Sequence, residues 1–266
     1  MHLKIFLNKT FLVFILIVIF LSAYSCKKDK NESESYPKPS APESGSMIVS
    51  INHLFDSINF VLNDQYVLDN GNKISISTYK YYISNIKLTA DDGSVFSESE
   101  SYHLVNAEQI STCSFSISKV PFKKYTSMSF VIGVDSTRNV SGAQSGALDP
   151  ALGMFWTWNT GYIMAKLEGT SQQSSAPGNS VAFHIGGFKG NFNALKQASI
   201  SFNGNFANVT STLTPTLTLK NNIKEWFINP TSLDLSLTNN ITIVNATSRS
   251  IADNYADMFS FKSIQN

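Results

Sequence analysis

The chain has 266 residues, of which 42% are hydrophobic and only 15% are charged. This apolar content is enough to fill the core of one large domain. A formal net charge of +1 excludes the broad basic surface that nucleic acids attract, so we expect no nucleic-acid partner.

Residues 1–25 have the pattern of a secretory signal peptide. Lys4 and Lys9 precede the apolar run 11–23, which is too short to span a membrane comfortably. The run ends in LSAYSC, which places Cys26 after small residues, as in bacterial lipoprotein signals. We therefore predict that Cys26 is lipidated and anchors the protein in the cell envelope, on the periplasmic face or the outer-membrane surface. An uncleaved membrane anchor is the alternative.

Residues 26–46 are charged, rich in Ser and Pro, and free of apolar runs, so we expect a disordered tether. Residues 47–266 remain as one folded domain. Its single cysteine, Cys113, has no partner if Cys26 carries lipid, so we predict no disulfide framework and interpret Cys113 as a small buried or loop residue.

The folded part shows the alternating polar and apolar pattern of half-buried strands. It predicts an all-β fold, a single β-sandwich-like domain with a short C-terminal helix at 250–259, where Ile251, Tyr255 and Met258 have helical spacing. Residues 168–177 are interpreted as a surface loop. The strands are predicted at 47–55, 74–82, 86–89, 102–105, 113–117, 126–134, 161–167, 181–185, 198–202, 216–219 and 238–244.

The sequence lacks the common catalytic motifs, including GxSxG, GxxxxGK[ST], HExxH and GxGxxG, so we expect a protein that is not an enzyme. Asp135 and Asp149 flank a polar loop that has the residue types of a calcium site. Capping of turns by these two carboxylates is the more common role for such residues.

Two histidines are considered as metal ligands. Alternation along the first strand places His53 with Ile51 and Phe55 on the apolar face, whereas His184 points away from Phe183 and Ile185. A single buried histidine is usually a structural core residue. Two histidines that converge would suit copper, but their separation in sequence does not show whether they meet.

The segment GMFWTWNTGY carries two tryptophans, Trp156 and Trp158, which share one face if the segment is extended. Paired aromatic side chains on one face most often belong to a core. Composition and alternation do not decide between packing and indole chemistry.

Three strings resemble the MbnP-like copper-binding proteins: IGVDS at 132–136, SGAQSGALDPALGMFWTWNTGYIMAKLEG at 141–169, and FHIGG at 183–187. YKYYISNIKL at 79–88 and ADNYADMF at 252–259 are also similar to that family. The resemblance covers residues 47–262.

The resemblance implies a β-rich envelope protein that holds copper, as Cu(I), for acquisition, storage or delivery. His184 and His53 are the implied histidine ligands. Trp156 or Trp158 is the implied site of oxidation to kynurenine, which a partner dihaem enzyme similar to cytochrome c peroxidases would carry out. The alternative function is a surface interaction or adhesion lipoprotein that binds no metal.

Overall fold

A computed structural model describes residues 43–156 and 161–266. The predicted signal peptide, Cys26 and Trp158 lie outside these ranges. The first strand, β1 (Ser44–Phe55), begins two residues before the predicted end of the tether. Its buried side chains alternate through Met47, Val49, Ile51 and Phe55, as the sequence predicts.

β1 is the centre of the smaller sheet, whose order is β16-β14-β1-β2 with β7 also paired to β1. β14 runs parallel to β1, and the other pairs are antiparallel. The other strands of this sheet are β2 (Ile58–Asn59), β7 (Ser114–Pro121), β14 (Thr216–Asn222) and β16 (Phe259–Gln265).

The larger sheet has 11 strands, and its central path is β12-β8-β4-β10-β11-β15. The strands are β3 (Gln65–Val67), β4 (Lys73–Ala90), β5 (Val95–Ser97), β6 (Tyr102–Asn106), β8 (Lys124–Ile132), β9 (Phe155–Trp156), β10 (Gly161–Thr170), β11 (Ser180–Gly186), β12 (Lys196–Ser201), β13 (Ala207–Asn208) and β15 (Asn240–Ile241).

The hydrophobic core fills the space between the inner faces of the two sheets. Tyr81 of β4 and Phe130 of β8 pack edge-on against Phe259 of β16, with ring centroids 5.7 and 5.0 Å away. Edge-to-face packing at these distances is favourable for aromatic rings. The predicted all-β, sandwich-like architecture is therefore confirmed.

Among the residues that the structure describes, two α-helices accompany the sheets, α1 (Ser136–Asn139) and α2 (Ala246–Tyr255). α2 begins four residues before the predicted helix because Asn245 and Ser248 form a capping box. It ends at Tyr255, and the chain then forms β16 rather than continuing as a helix to residue 259. Within the described ranges, no helix is long and apolar enough to cross a membrane.

Candidate functional site

His53 lies on the inner face of β1, in the row of Ile51 and Phe55. Its Nε2 is 2.9 Å from the hydroxyl of Tyr81, and its ring packs edge-on against Tyr79 at 5.4 Å. Burial lowers the pKa of His53 to about 4, so the imidazole is neutral at neutral pH. His53 is therefore a half-buried, uncharged nitrogen donor between the sheets.

His184 lies on β11 and points away from the core side chains Phe183 and Ile185, as alternation predicts. Its Nε2 is 2.6 Å from Oε1 of Glu168 on β10. This hydrogen bond, with Lys166 nearby, lowers the pKa of Glu168 to about 2. Because an ionised carboxylate only accepts hydrogen bonds, Nε2 of His184 donates to Glu168, and in the neutral form of the ring Nδ1 then carries the lone pair.

The two histidines lie on opposite faces of the larger sheet. Ala165 pairs with Tyr81 on one side and with Ile185 on the other, so these three side chains share a face. His53 contacts Tyr81 on that face, whereas His184 projects from the other. The resemblance implies that His53 and His184 are ligands of one copper site, but in the structure the larger sheet separates the two side chains.

The indole of Trp156 packs directly over Gly186 of the FHIGG string. A Cβ atom at Gly186 would lie 2.4 Å from Cζ3 of Trp156, so only glycine permits this contact. By alternation along β11, that Cβ would project from the same face as His184. Trp156 and His184 therefore approach the same face of β11, although Trp156 is only 5% exposed.

A cavity of about 300 Å³ adjoins the Trp156 ring. Its lining includes Tyr162, Gly187 and Lys189, and it lies beside the antiparallel pair of β9 and β10. Trp158 lies outside the described residues. The two glycines that follow Ile185 thus have separate roles. The first leaves room for the Trp156 ring, and the second lines the cavity.

No group of three or more His, Cys, Asp or Glu side chains with metal-binding geometry occurs within residues 43–156 and 161–266. Asp135 accepts hydrogen bonds from the backbone amides of Thr137 and Arg138 at the start of α1. Asp149 accepts one from Ala151. Both carboxylates cap turns, which accounts for them without calcium.

His103 offers a useful comparison with His184. Its Nε2 is 2.9 Å from Oε2 of Glu98, so it also pairs with a carboxylate. Its ring, however, stacks on Phe115 with centroids 3.9 Å apart. His103 thus has an aromatic partner across one ring face and lies on β6, away from the FHIGG string.

The role of Glu168 was not predicted from the sequence. Glu168 was expected in a surface loop, whereas β10 extends through it to Thr170 and pairs it opposite Ala182. Lys166 and Glu168 are two residues apart and therefore project from the same face of a continuous strand. Extending the predicted strand through Glu168 is the step that could have placed this residue beside His184.

The family profile of MbnP matches residues 44–249. Among solved structures, the chain is similar to MbnP from Methylosinus trichosporium, with a TM-score of 0.51 and 12% identity over 83% of this chain and 98% of that one. At this identity the structural match shows a shared fold. No curated protein has a significant match to the sequence.

Proposed function

The chain belongs to the MbnP family, and from this premise we propose that it is a cell-envelope protein that binds copper and is not an enzyme. The family points to a copper-related role in the envelope. Acquisition, storage or delivery of copper is the physiological role that we propose. The copper ion is the cargo of the protein.

One observation carries the proposal, namely the orientation of His184 by Glu168. Metal-binding histidines commonly donate their second ring N–H to a carboxylate, which fixes the ring and raises its basicity. The 2.6 Å contact between Nε2 and Glu168 has this form and leaves Nδ1 for the metal. Imidazole nitrogen suits copper.

The two tryptophans of the segment GMFWTWNTGY supply the second part of the proposed site. Trp156 lies over Gly186, two residues from His184 and on the same face of β11. We propose that the additional donor is Trp156 or Trp158 after oxidation to kynurenine, which carries an aromatic amine that indole lacks. A dihaem enzyme similar to cytochrome c peroxidases is the proposed oxidant. His53 has no part in this site because it lies across the sheet.

We further propose that Cys26 carries the lipid that holds the domain at the membrane. The intact mass of the protein from its native host tests this anchor and the tryptophan oxidation together. Lipidation adds the mass of acyl chains, and kynurenine differs from tryptophan by one oxygen gained and one carbon lost. A native mass that includes the acyl chains but shows no conversion of tryptophan to kynurenine, with no copper bound, would favour the interaction-lipoprotein function instead. A native mass without acyl chains would contradict the lipid anchor.

Removal of the His184 imidazole tests the copper site directly. We expect His184→Gln to bind one copper ion fewer per chain than wild type, measured anaerobically by competition with a chromogenic Cu(I) chelator. Glu168→Gln should keep the ligand but weaken copper binding about 10- to 100-fold, as loss of an orienting carboxylate does elsewhere.

His103→Gln is the matched control, because His103 also pairs with a glutamate yet lies away from the FHIGG string. It should bind as much copper as wild type. Equal copper content in wild type and His184→Gln would contradict the proposed site.

A further inference from the structure

A thiol and an imidazole lie close together on the opposite side of the larger sheet from His184. Sγ of Cys113 is 4.0 Å from Nδ1 of His53. Cys113 ends the 3-10 turn that precedes β7, and β7 pairs with β1 so that Ser114 lies opposite Ser50. The strand pairing therefore brings together a thiol and an imidazole that are 60 residues apart.

The His53 ring is held so that one nitrogen faces the sulfur. Nε2 is 2.9 Å from the Tyr81 hydroxyl, and Tyr81 is fully buried. When Nε2 donates its proton to that hydroxyl oxygen, the lone pair of Nδ1 points toward Cys113. The neutral state that burial imposes on His53 is the form that binds metals.

The separation of the two donors favours a low coordination number. With metal–ligand bonds of about 2.0–2.1 Å to nitrogen and about 2.3 Å to sulfur, donors 4.0 Å apart subtend an angle of about 135° at the ion. A tetrahedral ion with the same bonds needs donors about 3.6 Å apart. Thiolate together with imidazole, at an open angle, is a donor set that suits Cu(I).

The pair is not sealed inside the core, because Cys113 and His53 are each only partly buried. Besides His53, the Cys113 thiol contacts the backbone carbonyl of Asn106 at 3.8 Å. That long contact is a weak hydrogen bond, which a metal–sulfur bond would replace.

We propose that Nδ1 of His53 and Sγ of Cys113 form a second, two-donor Cu(I) site, separate from the site at His184. On binding, the S–H bond breaks, the proton leaves to solvent, and a sulfur–copper bond forms while copper stays Cu(I). No electron is transferred, and no other reactant is needed.

Protection of Cys113 from alkylation tests this site. Full-length protein is treated anaerobically with iodoacetamide, with and without chelator-buffered Cu(I), and modification is followed on the Cys113 peptide so that Cys26 does not interfere. With free Cu(I) at about ten times the dissociation constant, we expect alkylation of Cys113 to slow about tenfold, because only the metal-free fraction reacts.

The variants distinguish a paired site from a lone thiol. His53→Gln should abolish most of the protection, whereas His103→Gln and His184→Gln should keep it. Cys113→Ser, a small change, should bind one Cu(I) ion fewer than wild type. Equal alkylation rates with and without Cu(I), or full protection in His53→Gln, would overturn the proposal.

This design separates the two copper proposals. Failure of the His184 site alone leaves copper-dependent protection of Cys113 intact. Failure of the His53 and Cys113 site alone leaves the loss of copper in His184→Gln intact.

Discussion

At the scale of single residues, burial determines what each histidine can do. His53 contacts tyrosines on the inner face and has its pKa lowered to about 4, from an ordinary value of 6.5. His184 is oriented by a carboxylate instead. The same residue type is thus an uncharged, half-buried imidazole in one place and an imidazole oriented by a carboxylate in the other.

The lowered pKa of His53 predicts how stability depends on pH. Between pH 6.5 and 4 the unfolded chain protonates this imidazole while the folded chain does not, so stability falls as pH falls through this window. The free energy of unfolding should decrease by at most about 1.4 kcal/mol per pH unit because of His53.

Urea unfolding of wild type and His53→Gln at several pH values between 4 and 7 measures this contribution. The wild-type values should fall more steeply with decreasing pH than those of the variant, since all other titrating groups are shared. Parallel pH dependences in the two proteins would show that His53 is not the responsible group.

At the scale of elements, the packing of strand β9 on strand β11 depends on Gly186. Gly186→Ala places a methyl group 2.4 Å from the rigid Trp156 ring, which must move. We expect a loss of about 1–3 kcal/mol in stability, typical of overpacking, together with weaker copper binding. Urea unfolding and chelator competition measure the two effects.

Gly169→Ala provides a control with comparable strain elsewhere. Its methyl group would lie 2.1 Å from the carbonyl oxygen of Ser75, on the β10–β4 pair. This variant should lose stability but bind copper as wild type does. If both variants weakened copper binding equally, general destabilisation would explain the effect, and the packing of the Trp156 ring on Gly186 would not.

The strands also show which features of the fold can be predicted from the sequence. Alternation gave the faces of His53 and His184 correctly because it depends only on neighbours along one strand. It missed β16 because a bulge opposite Thr218 and Leu219 breaks the alternation between Phe261 and Ile264. It likewise divided β4 into two strands, since the register with β8 shifts between Ser84 and Lys87.

At the scale of the whole molecule, the candidate site depends on contacts between strands that no single segment encodes. The pairing of Glu168 with His184 requires the register of the β10–β11 hairpin. The separation of His53 from His184 requires the order of strands in the larger sheet, with Tyr81 and Ile185 on one face. Local sequence patterns determine neither arrangement, so the sequence could point to candidate histidines but not show which of them lie together.

The most direct test of the copper site is a crystal structure of the copper-loaded protein, with an anomalous difference map at the copper absorption edge. The proposal predicts a copper peak about 2 Å from Nδ1 of His184, on the side of β11 where Trp156 lies over Gly186. Copper found elsewhere in the domain, with no peak at His184, would contradict it.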